Sequence, residues 1–419
     1  MTVSAPHSAR PYDPICISPL DFWARTAEER EAYFKLLRDE RPVSWHPPLE
    51  GAMIPPEIDG LWAVTRHEDI SYVSKHPEIF CSSRGVMMES TPDEFLYAAT
   101  SFLSLDPPQH GHVRRLISSV FTPRQIAKIG DQINNQAVQI VDDLLATNGG
   151  DFVQQVSKRL PMWTIYEMIG LPLEKRDEAA HHADGSVTWA DPDVAAGREP
   201  VQVVNDALVA LLAMGLELAE ERRVKPTDDL MSLLVAAEID GHKLTDDDLG
   251  AFFVLLSIAG NDTTRNTTTL AAMALQDCPD QRALLENDFD RHIKTAVEEF
   301  IRWASPVMTF RRTATRDTVL RDQQIKEGDW VVLIYPSGNR DERVFSNPGT
   351  FDIRRNPNPH VAFGGGGPHY CLGAFLAKMQ LEALFRQLIL RAPNLRLGQP
   401  SLLTGNFVYA VKSLPYTLD

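Results

Sequence analysis

One cysteine of this chain sits where a thiol could do chemistry. Cys371 follows the run Phe363-Gly364-Gly365-Gly366-Gly367-Pro368-His369-Tyr370 and precedes Leu372-Gly373 and an amphipathic stretch from Ala374 to Leu390. Leu372, Phe375, Leu376, Met379, Ala383, Leu384 and Leu388 recur there at helical spacing, which predicts a helix near 371–391 with Cys371 at its N-terminus. Unpaired backbone N–H groups and the positive end of the helix dipole lower a thiol's pKa, and the glycines allow close backbone approach. The expected species is a thiolate that binds a metal or acts as a nucleophile. The other cysteines, Cys16, Cys81 and Cys278, form no Cys-x-x-Cys pair, which argues against a disulfide framework or a structural zinc site.

A second chemical segment interrupts a core helix. The stretch from about Thr245 to Asp277 reads as one helix, with Thr245 as N-cap, Asp248 three positions on, and Pro279 just past the stop. Leu249, Phe252, Phe253, Leu256, Ala259, Gly260 and Thr263 share one face. Halfway along stands Ala259-Gly260-Asn261-Asp262-Thr263-Thr264-Arg265-Asn266, a polar run of weak helix formers. Either it faces the surface or marks a kink, or Ala259 and Gly260 leave room for a flat ligand while Asp262 and Thr263 handle protons beside it. For the cysteine loop, a nucleotide-phosphate site lacks both the lysine and the βαβ setting. A cysteine hydrolase using His369 and an axial thiolate on haem iron both stay open, and only the second uses the polar-broken helix as well.

The elements that must position these groups are mainly helical. Periodicity marks helices near 132–146, 158–170, 200–223 and 293–304, and β-like pieces at Pro42 to His46, Leu61 to Arg66 and between Phe310 and Pro336. The class expected is mainly α with a small β portion. The chain has 419 residues, with 43% hydrophobic and 23% charged, and no repeat or linker divides it, so one large domain spanning 1–419 is expected. Its net charge of −16 works against nucleic-acid binding. The N-terminus has neither the order of a signal peptide nor a membrane span, which suits a soluble, cytoplasmic protein.

The Cys371 segment resembles the haem-binding loop of cytochrome P450 monooxygenases, and the resemblance runs through nearly the whole chain. Glu299-Phe300-Ile301-Arg302 is similar to the family's Glu-x-x-Arg helix, and Phe351-Asp352 with Arg355 to the stretch supplying its third structural arginine. The run from Ala259 to Thr264 resembles the oxygen-binding groove with its acid–alcohol pair. Asp106-Pro107-Pro108-Gln109-His110-Gly111-His112-Val113-Arg114 resembles a propionate-binding segment, with Arg312 and His369 at the matching remaining positions. The resemblance implies the cytochrome P450 fold, a long central helix crossing over haem b, and Cys371 as axial iron ligand. It further implies haem contacts from His110, Arg114, Ala259, Gly260, Arg312 and His369, proton delivery by Asp262 and Thr263, and a structural triad of Glu299, Arg302 and Arg355. One departure is that Gly364 stands where the family pattern has Phe, and Phe363 is one residue earlier.

A narrower likeness concerns Ser18-Pro19-Leu20-Asp21-Phe22-Trp23-Ala24, Gly260 to Asn266, Trp303-Ala304-Ser305-Pro306-Val307 and Asn356-Pro357-Asn358-Pro359-His360. These resemble mycobacterial members that ω-hydroxylate methyl-branched lipids, with steroid side-chain oxidases and terpene hydroxylases in the same neighbourhood. The implied reaction is hydroxylation of a terminal methyl of an apolar lipid, using O₂ and two electrons from a ferredoxin with its reductase and NAD(P)H. A haem-thiolate enzyme using peroxide and a non-catalytic haem or lipid sensor are the rival readings. Pocket residues are expected among Met87, Met88, Phe253, Leu256, Met308 and Phe407, under a cover containing Phe95-Leu96-Tyr97 and Phe102-Leu103. Arg115, Arg124, Lys128, Lys378 and Arg386 could form a basic patch for the electron donor, or be scattered solvated charge.

Overall fold

The computed structural model describes residues 10–90, 96, 101–189 and 191–418. Its helices of eight or more residues are α1 (Ala27–Glu40), α2 (His67–Lys75), α3 (Gln109–Ser119), α4 (Pro123–Leu145), α5 (Arg159–Ile169), α6 (Leu173–Val187), α7 (Pro200–Val224), α8 (Asp246–Asp277), α9 (Pro279–Asn287), α10 (Phe289–Ala304) and α11 (Ala374–Arg391). A five-stranded sheet is built from β1 (Val43–His46), β2 (Leu61–Val64), β3 (Phe80–Cys81), β4 (Thr309–Ala314) and β5 (Trp330–Ile334) in the order β1-β2-β5-β4-β3. β5 runs parallel to β2, pairing Trp330 with Leu61, and antiparallel to β4, pairing Val331 with Arg312. Trp62, Val64, Val331 and Leu333 enter one apolar cluster while Leu61, Ala63, Val332 and Ile334 enter another, so period-2 alternation buries both faces.

The long helix α8 has 32 residues and so spans roughly 48 Å. Its start is a capping box: Thr245 Oγ1 accepts from the Asp248 N–H at 3.1 Å and the Asp248 carboxylate accepts from the Thr245 N–H at 2.8 Å. Its N-terminal half, Leu249 to Val254, packs with α5, α6 and α7. Its C-terminal half, Leu270 to Leu275, packs with α4, α10 and α11. The polar run Ala259 to Asn266 lies at the junction of these two cores and stays within one uninterrupted helix. Asn261, Asp262, Thr264, Arg265 and Asn266 are all buried.

Low intrinsic propensity is offset by back-bonding, in which side chains donate to carbonyls one turn earlier. Thr263 Oγ1 donates to Ala259 O, Asn266 Nδ2 to Asp262 O, and Thr267 Oγ1 to Thr263 O, each at 2.8 Å. Among the described residues α7 alone has the length and hydropathy of a membrane span, with a third of that stretch buried. Val203, Ala207, Leu211 and Leu218 of α7 join the core formed with α5 and α6 or lie buried beside it.

Candidate active site

The cysteine loop is fixed from three sides. The Cys371 N–H donates to Phe363 O at 3.0 Å, closing the loop on itself. Arg114 of α3 donates to Pro368 O at 2.9 Å and Tyr370 O at 2.6 Å. Against α2 the approach is too close for any side chain: at Gly367, where φ is +76°, a Cβ would stand 2.2 Å from Ser74 O. Gly364 has φ +95°, a conformation the phenylalanine of the family pattern would adopt only with strain. Phe363, one residue earlier, packs its ring against His360 and Tyr370 with the Lys378 ammonium 5.3 Å above it.

α11 begins at Ala374, three residues later than the periodicity suggests, because Leu372 and Gly373 form a turn in front of it. The Gly373 and Ala374 N–H groups still point at the sulfur. Yet burial outweighs them and pushes the Cys371 thiol up, with those N–H groups and Arg114 pulling the other way. The lowered pKa expected from the helix terminus is therefore corrected: desolvation is the larger effect. The exposed surface of Cys371 opens on a cavity. His369 places Nε2 3.2 Å from Ser82 Oγ, and no histidine among the described residues bonds the sulfur. That removes the base a cysteine hydrolase needs and leaves the sulfur to a cation that can displace its proton.

The cavity encloses about 1130 Å³. A single-ligand pocket runs to roughly 300–1,000 Å³, so there is room for a cofactor and a substrate together. Cys371, Gly364 to Gly366 and Leu372 line one wall; Ala259, Gly260, Asp262, Thr263 and Thr267 of α8 line another. Arg114, Arg312 and His369 gather at one edge, and His110 stands behind them with its ring 4.2 Å from that of His369. Crowding and burial suppress protonation here: His110 is lowered to about 4 by desolvation first and Arg114 second, and His369 falls further by desolvation first, then Arg312, His110 and Arg114. The His110 Nε2 is buried without a partner. A cationic edge with an orphaned nitrogen is what two buried carboxylates of a flat cofactor would satisfy. The residues present fit a haem.

On α8 the carboxyl of Asp262 is buried, and burial pushes its pKa up while Arg265 pulls it down. Arg265 lies 2.5 Å from Asp262 Oδ1 but off the hydrogen-bonding direction, so both carboxyl oxygens keep unused acceptor positions. The same guanidinium donates to Asp184 of α6 at 3.0 Å, and Asp184 accepts from Lys158 at 3.1 Å. Thr263, half-buried on the cavity wall, keeps its hydroxyl on Ala259 O.

Beneath the loop, Glu299 of α10 is fully buried. It accepts from Arg302 through both oxygens at 2.7 Å, from Arg355 at 3.2 Å, from the Asp352 N–H at 2.9 Å and from Asn358 at 3.1 Å. Arg302 also donates to Asn339 O at 2.9 Å, and Asn339 accepts from the Val361 N–H at 2.7 Å, which ties this cluster to the strand of chain entering the cysteine loop.

The expected pocket residues divide. Met87, Leu256 and Phe407 line the cavity. Met88, Phe253 and Met308 do not: each is at most 1% exposed and sits in a core. Phe253 turns away because it fills the notch left by Gly215 on α7, where a Cβ would be 2.7 Å from it. Gly260 also differs from its expected use; its backbone lines the cavity, but its missing Cβ makes space for Ile165 of α5, 2.5 Å from where that carbon would be. His110 lies behind the lining rather than in it. Phe95 and Tyr97 lie outside the described residues, while Phe102 and Leu103 line the cavity. Sequence reasoning missed Phe252, one step from Phe253 on the marked face, and Glu89, next to the marked methionines. Of the basic set, Lys128 pairs with Asp228, Lys378 with Glu298 and Arg386 with Asp290, leaving Arg115 and Arg124 as its exposed remainder.

A thiol at a glycine-rich loop, a long helix crossing above it and a cationic edge between them define a haem-thiolate scaffold. The cytochrome P450 family model matches residues 197–392. The methyl-branched lipid omega-hydroxylase of Mycobacterium bovis is 39% identical over 97% of this chain and 95% of its own. The steroid C26-monooxygenase of Mycolicibacterium smegmatis is 38% identical over 90% of this chain and 87% of its own. A Mycobacterium marinum cytochrome P450, solved in complex with pseudoionone, superposes with a TM-score of 0.94 at 51% identity, covering 98% of this chain and all of that one. The chain belongs to the cytochrome P450 family. It is a monooxygenase related to lipid ω-hydroxylases and steroid C26-monooxygenases, and its cofactor is haem b.

Proposed function

We propose that the enzyme hydroxylates a terminal methyl of an apolar branched lipid or isoprenoid, taking electrons from a ferredoxin and its NAD(P)H-dependent reductase. The observation that carries this reading is the large, mostly apolar cavity lying between the Cys371 loop and the α8 wall. The names of its relatives support it further, a methyl-branched lipid omega-hydroxylase and a steroid C26-monooxygenase. Haem, when bound, supplies the activation of O₂ and oxygen transfer to an unactivated C–H bond. Cys371 would ligate its iron, and Arg114, Arg312, His110 and His369 would hold its propionates. Ala259 would give α8 a small side chain toward the cofactor, with the Gly260 backbone beside it. Asp262, with unused acceptor positions, passes protons toward the Thr263 hydroxyl. Glu299, Arg302 and Arg355 support the cysteine loop without touching substrate. The whole of 1–419 works as one unit in the cytoplasm, with α7 a core helix rather than a span.

The test is an optical titration of the ferric protein with a methyl-branched fatty acid, a linear isoprenoid and a sterol. A high-spin shift with the branched or isoprenoid ligand, followed by product analysis giving a terminal alcohol, is expected. A shift with the sterol alone moves the enzyme to the steroid side-chain branch, and no shift with any of them refutes a lipid substrate. The sensor alternative fails if a ferredoxin system couples NADH consumption to product.

A further inference from the structure

The cavity carries a carboxyl for which the chemistry above has no use. Glu89 is 6% exposed and lines the cavity wall. One oxygen accepts from the Met53 N–H at 3.1 Å and the other from Asn406 Nδ2 at 3.2 Å. Asn406 is itself held to the sheet, because Thr309 Oγ1 donates to its backbone carbonyl at 2.9 Å. Its chain neighbour Phe407 lines the cavity edge-on to Phe310. The carboxyl is therefore fixed in place among apolar side chains.

Among the described residues no cation pairs with it. Arg311, the basic residue whose backbone N–H reaches Val86, directs its guanidinium to Gly85 O and Arg84 O and stacks it 3.6 Å from the centre of the Trp330 ring. Burial accordingly raises the Glu89 carboxyl to about 7, with Asn406 and Met53 opposing. A buried carboxyl costs free energy wherever it is not paired, and each of its oxygens has only one partner here.

We propose that Glu89 is a polar subsite of the substrate cavity that receives the neutral oxygen function, a carbonyl or a hydroxyl, of an otherwise apolar lipid, and that it selects against a free carboxylate. This rests on the reading of the cavity as a lipid site. As the acid, Glu89 donates to a carbonyl; as the anion, it accepts from a hydroxyl. A carboxylate ligand brings a second negative charge beside the first, or must take up a proton to enter. The substrate class is narrowed accordingly, to neutral-headed lipids over free fatty acids.

Four ligands built on one isoprenoid skeleton test this: the ketone, the alcohol, the carboxylic acid and the hydrocarbon. Each is titrated optically at pH 7.5 into the haem-loaded native protein, Glu89→Gln and Glu89→Leu, with the reduced carbon monoxide spectrum and the melting temperature confirming that each variant is folded. The native protein should bind ketone and alcohol about tenfold or more tighter than the acid, the size of one hydrogen bond or one like-charge contact. Glu89→Gln should bind the acid about tenfold better than native, and Glu89→Leu should lose the preference for ketone over hydrocarbon. An acid that binds native protein as well as the ketone does, or affinity ratios unchanged in both variants, overturns the subsite and leaves the lipid reading intact. No spectral shift with any of the four overturns both.

Discussion

Replacing Glu299 by alanine removes the one anion that Arg302 and Arg355 share. Arg302 is fully buried and spends two of its donors on that carboxylate, while Arg355 gives it one. Breaking a buried pair from one side costs about 3–5 kcal/mol, because the stranded charge stays desolvated. The Asp352 N–H and Asn358 Nδ2 lose their acceptor as well, for about 1 kcal/mol each. A loss of about 5–7 kcal/mol is at least a third of the total stability of a typical protein. It is also localised, since Arg302 leads through Asn339 to Val361, two residues before Phe363. Urea unfolding and the haem-to-protein ratio after purification are the assays. Glu299→Ala should give a strongly lowered urea midpoint and little retained haem, and Glu299→Gln, which keeps volume and an acceptor, should fall between. A Glu299→Ala protein with the native midpoint and full haem content would refute the role given to this cluster.

Cys371→Ser should abolish the thiolate-ligated reduced carbon monoxide spectrum while leaving the cavity able to hold haem; an unchanged spectrum overturns the ligand. Thr263→Ala removes a hydroxyl that bonds only its own helix among the described residues, so α8 should persist. O₂ consumption should continue in that variant with peroxide released in place of product, and tight coupling would count against a proton role. Glu89 holds its proton more tightly folded than unfolded, so its contribution to stability is lost as pH rises from the ordinary value of 4.5 through about 7. That difference is about 3 kcal/mol, measured as the gap between the urea stabilities of native and Glu89→Gln proteins at pH 5 and pH 8. A gap that does not widen in favour of Glu89→Gln at pH 8 excludes a buried, unpaired carboxyl.

Local rules were sufficient wherever neighbours in sequence are also neighbours in energy. The capping box at Thr245, the stop before Pro279, the boundaries of α7 and the amphipathic α11 all follow from side chains interacting within a turn or two. The cysteine loop and the acid–alcohol pair were legible for the same reason, each being a contiguous run whose composition makes little sense as plain core. Other features depended on contacts between distant segments. Phe252 and Phe253 are equally apolar and both buried in the core, yet Phe253 fills the glycine notch on α7 while Phe252 also borders the cavity. Whether Gly260 serves a ligand or a neighbouring helix was decided by Ile165, nearly a hundred positions away.

The sequence by itself determined the longest helices and the Cys371 loop, because these rest on short-range periodicity and on chemistry carried by single side chains, while the remaining haem contacts were legible only through the family resemblance. Tertiary structure alone decided the direction of the Cys371 thiol shift, the partners of Asp262 and the isolation of Glu89. Those depend on desolvation, and how much water a group loses is set by everything that packs around it from the rest of the chain.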